Sequence, residues 1–301
     1  MTRTWFITGS NRGLGRAFTL AALADGDRVV ATARDPRSMT DIDSDRLTVL
    51  PLDVRDRDRA IVTVDQAFAI AGSIDVIVNN AGYGLVGAVE ELTEAEIRAQ
   101  MDTNFYGALW VSQAAVPHLR TQGSGHIVQI STVGAVGSLP LFSMYNASKW
   151  ALEGFGASLA DELRPFGIHV TLAELGGFDT DWAKSSMKFA TALPAYDELR
   201  SGILGMANYP DPTVPLPVTD EATDLAPAGQ TETTAETAAD GAAEWVEAAP
   251  EVAAAELIAL VNMPNPPVRK VIGPGAHQMV AMALDQRRQD YLTDPEFIWP
   301  A

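Results

Sequence analysis

The sequence has 301 residues, 47% of them hydrophobic, which is enough for one large domain or two small ones. It has no cysteine, which excludes disulfides, thiolate catalysis and thiolate metal sites. The net charge of −18 disfavours nucleic acid or an anionic membrane as a partner. No apolar run approaches the ~18 residues of a membrane span, so we expect a cytoplasmic protein. The histidines are too far apart for metal ligation, and no metal site is predicted: His118, His126, His169 and His277.

Short apolar segments alternate with longer amphipathic ones through most of the chain. Strands are predicted at "TWFIT", "RVVATA", "RLTVLPL", "IDVIVNN", "HIVQIS" and "IHVTLAEL". Helices are predicted near Gly13 to Ala24 and Asp56 to Ala71, as one long helix from Thr93 to Leu119, and around "MYNASKW". The strands are rich in Val and Ile without clean alternation, as in parallel sheets that helices cover on both faces. The predicted fold is therefore a doubly wound, Rossmann-like α/β sheet.

The alternation stops in an acidic segment and then resumes. Between Ser201 and Val268 there are eleven acidic residues and no Lys or Arg. We expect residues 207–249 to be a solvated insertion with little fixed structure, because Pro, Thr, Ala and acids bury too little apolar surface. An active-site lid or docking tail is the alternative. The prediction is one domain made of residues 1–206 and 250–301, the latter with a helix near Glu251, the strand "VRKVIG" and a last helix near His277.

The first predicted strand runs into "TGSNRGLGR", a glycine-rich turn that precedes a helix. Glycines at 9, 13 and 15 allow a tight turn and a close approach to a pyrophosphate, whose charge the helix amino terminus would stabilise. A plain strand-to-helix turn is the alternative. The position of the turn between a strand and a helix favours nucleotide binding.

In "MYNASKW", Tyr145 and Lys149 are four residues apart, so they lie on the same face of the predicted helix. A nearby ammonium stabilises phenolate, which would lower the pKa of Tyr145 and make it a usable proton donor and acceptor. Such a pair also arises by chance, so the rest of the sequence must decide between the two interpretations.

Several motifs in order resemble the short-chain dehydrogenase/reductase family: "TGSNRGLG", Asp53 in "LDV", "NNAG", Asn104 in the long helix and "YNASK". The resemblance covers about residues 3 to 182. It implies that Tyr145 transfers a proton to or from the substrate oxygen, that Lys149 holds the nicotinamide ribose and lowers the tyrosine pKa, and that Asn104 holds a relay water. The residues implied in cofactor binding are Gly9, Ser10, Asn11, Arg12, Gly13, Leu14, Gly15, Arg34, Asp53, Val54, Asn80, Ala81, Gly82, Tyr145, Lys149, Gly176 and Thr180.

Two positions depart from the family pattern. Where the family has a serine that polarises the substrate, this chain has Thr132, with Ser131 just before it. Threonine keeps the hydroxyl, and adjacent strand residues face opposite ways, so we predict Thr132 rather than Ser131 as the catalytic hydroxyl. Leu175 replaces the proline that usually precedes Gly176, which leaves the contact of Gly176 and Thr180 with the nicotinamide less secure.

The second predicted strand ends in neutral Ala33 followed by Arg34, where an acidic residue would grip a ribose 2′-hydroxyl. Arg12 adds a positive group in the glycine loop. These two arginines favour NADP(H), with NAD(H) as the weaker alternative, and Asp35 is the counterargument.

The leading interpretation is an NADP(H)-dependent oxidoreductase that interconverts a ketone or aldehyde and an alcohol. The alternatives are a redox-inactive NADP-binding regulator and a nucleotide-sugar epimerase or dehydratase. The expected substrate is a small apolar carbonyl or alcohol, and the resemblance implies a homodimer or homotetramer. A substrate lid or simple core could be formed by Trp182, Met187, Phe189 and Tyr196.

Overall fold

The protein is described by a computed structural model that covers residues 2–179, 186–210 and 248–300. Within these ranges, seven parallel strands form one sheet in the order β3-β2-β1-β4-β6-β7-β9, and β5 pairs separately with β8. The strands are β1 (Thr4–Ile7), β2 (Arg28–Ala33), β3 (Leu47–Pro51), β4 (Val76–Asn79), β5 (Leu85–Val86), β6 (Gly125–Thr132), β7 (Ile168–Leu175), β8 (Lys188–Phe189) and β9 (Arg269–Ile272).

Helices cover both faces of the seven-stranded sheet. They are α1 (Gly13–Ala24), α2 (Arg57–Ala71), α3 (Glu94–Met101), α4 (Gly107–Gln122), α5 (Ser143–Leu163), α6 (Asp197–Leu204), α7 (Pro250–Val261) and α8 (Ala276–Leu292). On β6, Val128 and Ile130 pack with α1 and α7, whereas Ile127 packs with α2, α4 and α5. Both faces are apolar, which explains why the strand sequences do not alternate. The predicted doubly wound α/β fold is confirmed.

The connections between strands determine where a ligand can bind. From β1 the chain moves outward to β2 and β3, then returns to β4 on the other side of β1 and continues to β6 and β7. The winding direction therefore reverses between β1 and β4. In open parallel sheets, ligands bind at the carboxyl ends of the strands beside this reversal.

The predicted long helix has an interruption that its sequence did not indicate. Its start is confirmed, since Thr93 and Glu96 form a capping box in which the Thr93 N–H donates to Glu96 Oε2 at 2.9 Å. Between α3 and α4, however, Asp102–Tyr106 form a π-helical turn. Such turns place one extra residue in the helix and often mark functional sites. Asn104 lies in this turn.

The carboxyl-terminal elements belong to the same sheet as the amino-terminal ones. Strand β9 pairs with β7 at the edge of the sheet, and α7 packs against α1. Helix α8 is different, because only Ala276 of its residues is buried. Most of the acidic insertion, at 211–247, lies outside the described residues. No helix within the described ranges is both long enough and apolar enough to cross a membrane.

Candidate active site

The glycine loop between β1 and α1 forms a close cradle. Gly9 and Gly13 have φ values of 66° and 52°, which favour glycine. A Cβ atom on Gly15 would lie 2.3 Å from the Gly9 carbonyl oxygen and 2.4 Å from Asn80 Nδ2. No side chain caps the amino terminus of α1, and its first turn has no acidic residue. These features fit the pyrophosphate of a dinucleotide, because backbone N–H groups and the helix dipole point at the space above the loop.

Polar side chains beneath the loop hold its shape. Asn80 Nδ2 donates to the carbonyl oxygens of Thr8 at 2.9 Å and Gly9 at 3.1 Å, and Thr8 Oγ1 accepts from the Asn80 N–H at 3.0 Å. Ser10 is fully buried and donates to the backbone oxygen three residues earlier at 2.8 Å. The Ser10 side chain therefore supports the loop and does not line the cleft above it. Thr8 was missing from the predicted site, because a threonine that ends a strand carries no signal of its own.

At the carboxyl ends of β2 and β3, two aspartates have arginine partners. Asp35 Oδ1 accepts from Arg37 Nε at 2.9 Å and from the Arg37 N–H at 3.0 Å, and these bonds hold the Asp35 pKa below its ordinary value. Asp53 Oδ1 accepts from Arg55 Nε at 2.9 Å. That hydrogen bond lowers the Asp53 pKa most, with a smaller contribution from Arg34. Exposed Arg34 thus lies beside the predicted adenine end of the cleft. The Asp35 carboxylate is already paired with Arg37.

The predicted catalytic residues converge at the carboxyl end of β6. Tyr145 and Lys149 are buried on one face of α5, and the Thr132 side chain lies close enough to the Tyr145 hydroxyl to favour its ionised form. Thr132 Oγ1 also accepts from the Gly134 N–H at 3.2 Å, which fixes its rotamer. Lys149 Nζ donates to the Ile130 carbonyl oxygen at 2.7 Å. One cleft of about 530 Å³ contains these groups together with the glycine loop.

Burial changes the pKa values of this pair. It raises the Tyr145 pKa to about 12, against the opposing effect of the Thr132 hydrogen bond. It lowers the Lys149 pKa to about 8, against the opposing effect of Glu153. The predicted lowering of the Tyr145 pKa is therefore not found, because desolvation dominates. Tyr145 is a protonated donor at neutral pH, and Lys149 loses its charge as pH rises through about 8.

Ser131 and Thr132 face different sides of the sheet, as strand alternation requires. Ser131 shares the α5 side with Ile127, and its sheet neighbour in register is Glu174. Ser131 Oγ is buried and makes no hydrogen bond with any described residue. Thr132 is the hydroxyl that reaches Tyr145. Both residues line the cleft, so the choice of Thr132 over Ser131 stays a prediction.

Asn104 connects the π-helical turn to a neighbouring loop and to α5. Its Oδ1 accepts from the Tyr83 N–H at 3.0 Å, and its Nδ2 donates to the Tyr83 oxygen at 3.0 Å and to Ser148 Oγ at 3.1 Å. Ser148 in turn donates to the Tyr145 carbonyl oxygen at 2.7 Å. Asn104 is buried behind the cleft rather than lining it. These bonds hold the catalytic helix in place, and the water-holding role remains a prediction.

Comparison with known proteins agrees with this geometry. The family model described as short chain dehydrogenase matches residues 3–190. The chain belongs to this family. Oxidoreductase BOA17 of Botryotinia fuckeliana is 44% identical to this short-chain dehydrogenase over 200 residues, which cover 65% of this chain and 73% of that protein.

Two solved structures resemble this short-chain dehydrogenase. One is a short-chain dehydrogenase from Streptomyces avermitilis, with a TM-score of 0.78 and 32% identity, covering 97% of this chain and 95% of that one. The other is a metagenomic short-chain oxidoreductase in complex with NADP, with a TM-score of 0.56 and 29% identity, covering 58% of this chain and 82% of that one. The first likeness extends over nearly the whole chain.

The end of the dehydrogenase cleft beside Tyr83 contains residues that the sequence did not indicate. Phe178, Ser186 and Lys188 line it together with Tyr83, and Lys188 Nζ lies 5.1 Å from the centre of the Tyr83 ring. These residues belong to loops and to the short β5–β8 pair, which carry no family motif. Met187, Phe189 and Tyr196 are partly buried against a cluster that includes Tyr145.

The remaining predicted cofactor residues fall into two groups. Most line the cleft beside those already described: Asn11, Arg12, Leu14, Val54, Ala81, Gly82 and Gly176. The Gly176 N–H donates to the Ile272 oxygen at 2.9 Å, which holds the end of β7 against β9. Thr180 lies outside the described residues, as does Trp182, which was predicted for the substrate lid or core and not for the cofactor. Among described residues, no three His, Asp or Glu side chains are close enough to hold a metal.

Proposed function

We propose that this short-chain dehydrogenase is an NADP(H)-dependent oxidoreductase that interconverts a small apolar ketone or aldehyde and its alcohol. The observation that carries the proposal is the buried Tyr145, which lies in one cleft with Thr132, Lys149 and the glycine loop. A protonated donor, a second hydroxyl and a cation are the groups that carbonyl reduction needs.

Each catalytic side chain has a defined task in this proposal. NADPH, when bound, supplies the hydride that reaches the carbonyl carbon. The Thr132 hydroxyl hydrogen-bonds the carbonyl oxygen, and Tyr145 donates its proton to that oxygen as negative charge develops there. Lys149, which lines the same cleft, would hold the nicotinamide ribose. In the reverse direction Tyr145 accepts the alcohol proton.

The preference for NADP(H) rests on charge at the adenosine end of the cleft. Arg12 and Arg34 both line it, and Arg34 lies at the carboxyl end of β2 where a 2′-phosphate would be placed. The Asp35 carboxylate, which would oppose a phosphate, is bonded to Arg37. The metagenomic relative was solved with NADP. The family also leads us to propose a homodimer or homotetramer.

Cofactor preference provides the first test. We expect NADPH to give a kcat/KM about 10–100-fold above that of NADH with a panel of ketones and aldehydes, since one charge-assisted hydrogen bond contributes about 1.5–3 kcal/mol. Arg34→Asp should remove or reverse this preference. Arg28→Asp is the matched control, because Arg28 is exposed at the opposite end of the same strand, outside the cleft.

Three results would contradict the assignment in different ways. Equal kcat/KM with NADPH and NADH in the unmodified protein would refute the roles of Arg12 and Arg34. NADPH binding without oxidation by any carbonyl would instead favour a redox-inactive regulator. Turnover of a nucleotide sugar, with no reduction of simple carbonyls, would favour the epimerase or dehydratase alternative.

A further inference from the structure

Arg200 is a charged residue in an unusual position, because its side chain on α6 is completely buried. Its guanidinium forms ion pairs with Glu91 and Asp197. It also donates from Nε to the Ala207 oxygen at 2.6 Å and from Nη2 to the Leu193 oxygen at 2.9 Å. The guanidinium therefore joins two parts of the segment 186–210 to a residue more than a hundred positions earlier.

Glu91 completes this network from the other side, and its carboxylate is also fully buried. Oε1 accepts from the Leu193 N–H at 2.8 Å, while Oε2 accepts from the Ala88 N–H at 2.9 Å and from the Tyr209 hydroxyl at 2.6 Å. The Tyr209 ring lies under the Arg200 guanidinium, 5.0 Å from ring centre to Cζ. Burial would raise the Glu91 pKa, yet these hydrogen bonds and Arg200 hold it below its ordinary value.

The segment held by this network packs directly beside the catalytic tyrosine. Ile203 and Leu204 of α6 belong to the same apolar cluster as Tyr145, Phe142 and Val86. The segment has a second attachment, because β8 pairs with β5 through N–H···O bonds of 2.8 and 2.9 Å. It is therefore fixed at one end by a strand pair and at the other by the buried ion pair.

A buried ion pair is a poor device for stability alone, since desolvation of two charges offsets most of their attraction. Its geometric precision is its distinguishing property. A planar guanidinium and a carboxylate with every oxygen bonded allow one arrangement of the backbone around them. An apolar contact at the same place would allow the segment 186–210 to shift relative to Glu91, because such contacts have no fixed direction.

We infer that Glu91 and Arg200 are positioning residues that hold segment 186–210 as the wall of the carbonyl site beside Tyr145. The inference rests on the proposed function for its kinetic consequence. None of the glycine loop, Arg34 or Asp53 takes part in the network, so NADPH binding should not depend on it. Loss of the pair should weaken carbonyl binding and slow turnover, because small misplacements of a substrate wall are costly.

The kinetic test uses Arg200→Met in the full chain, with the best carbonyl from the panel. KM for the carbonyl should rise on the order of 10–100-fold, with the Kd for NADPH, measured by its fluorescence, within about twofold of the unmodified protein. Arg200→Lys should give an intermediate KM, because one ammonium cannot bond Glu91, Leu193 and Ala207 together. Arg164→Met is the matched control. Arg164 forms an exposed ion pair with Asp161, three residues earlier, just as Arg200 pairs with Asp197 three residues earlier.

A double variant separates positioning from folding. Glu91→Met combined with Arg200→Met leaves no unpaired buried charge, so its Tm should recover relative to Arg200→Met. The carbonyl KM should nevertheless stay raised. A return of KM to the unmodified value in the double variant would overturn the inference, as would a parallel loss of NADPH affinity.

Limited proteolysis provides a readout that needs no activity. Cleavage within 186–210 should accelerate in Arg200→Met and in the double variant but not in Arg164→Met. An unchanged cleavage rate would refute the anchoring role even if carbonyl reduction is found. Faster cleavage in a protein that reduces no carbonyl would refute the proposed function and leave the anchoring role intact.

Discussion

At the scale of single residues, Thr132 shows how a threonine can stand where the family has a serine and still keep the hydroxyl in a fixed orientation. Its Oγ1 accepts the Gly134 N–H, so the threonine rotamer is fixed by the turn that follows β6. The Thr132 side chain also opposes the rise of the Tyr145 pKa, so it lies beside the phenol in the cleft. The extra methyl group therefore does not change the direction of the hydroxyl.

Substitutions at 131 and 132 test which hydroxyl acts. Thr132→Ser should keep most of kcat/KM, whereas nearly isosteric Thr132→Val should lower it about 10²–10³-fold, as does the loss of an oxyanion donor. Ser131→Ala is the comparison, because Ser131 Oγ makes no hydrogen bond with any described residue, and we expect it to have little effect. If Thr132→Val is silent while Ser131→Ala is not, the assignment of the polarising hydroxyl is wrong.

The sequence located residues better than it located their side chains. The glycine positions followed from the needs of a tight turn, and the structure shows that loop at the expected place. Ser10 and Asn104 were chosen by position in a motif, but their side chains bond the backbone away from the cleft. In the sequence, Asp35 argues against a bound 2′-phosphate because of its negative charge. The structure shows that this carboxylate is paired with Arg37. Such directions depend on neighbours that the sequence does not identify.

At the scale of elements, the packing of α5 on β7 buries two carboxylates beneath the catalytic residues. Glu153 lies one turn beyond Lys149, and Glu174 faces it from β7. Arg269 Nε reaches Glu153 Oε2 at 3.1 Å and Glu174 Oε1 at 3.5 Å. Burial, and secondarily repulsion by Glu153, raise the Glu174 pKa to about 7, against the opposing effect of Arg269.

This raised pKa predicts a dependence of stability on pH. Between its ordinary value of 4.5 and about 7, the folded Glu174 holds a proton that the unfolded chain has lost. The contribution of Glu174 to the unfolding free energy should therefore fall as pH rises through this range, by at most about 1.4 kcal/mol per pH unit for one proton, and then level off. Urea unfolding from pH 5 to 8 measures it.

Glu174→Gln should remove this contribution, because the amide stays neutral at every pH. Glu162→Gln is the control, since Glu162 is an exposed carboxylate on α5, the helix that carries Glu153. The interpretation fails if Glu174→Gln unfolds with the same pH dependence as the unmodified protein.

The elements themselves were predicted with one instructive error. The capped start at Thr93 followed from the spacing of Thr93 and Glu96, which the structure reproduces. The π-helical turn at Asp102–Tyr106 could not be predicted from the sequence. Apolar spacing alone does not distinguish one widened turn from a regular helix. Bonds from Asn104 to Tyr83, in a distant loop, accompany that turn.

At the scale of the whole molecule, charge is separated between the surface and the cleft. The chain carries a net charge of −18, yet the described lining of the cleft has five basic side chains and one acidic one. The basic residues are Arg12, Arg34, Arg55, Lys149 and Lys188, and the acidic residue is Asp53. A cleft of this sign attracts the phosphates of a dinucleotide despite the acidic surroundings.

The fold class could be predicted because alternating strands and helices leave few parallel arrangements. The exposure of α8 could not be predicted, because a helical sequence pattern does not show which other element, if any, packs against the helix. Substrate-side residues such as Lys188 were also missed, because the β5–β8 pair that positions them joins distant parts of the chain. The family motifs therefore predict the proposed cofactor site far better than the segment 186–210 that we propose as the wall of the carbonyl site.

The central claim is that Tyr145 transfers a proton in a reaction driven by NADPH. The most direct measurement is the turnover and NADPH affinity of Tyr145→Phe, which removes the hydroxyl with almost no change of volume. We expect kcat to fall about 10²–10⁴-fold while the Kd for NADPH is preserved. Undiminished carbonyl reduction by Tyr145→Phe would contradict the mechanism, whatever the cofactor affinity.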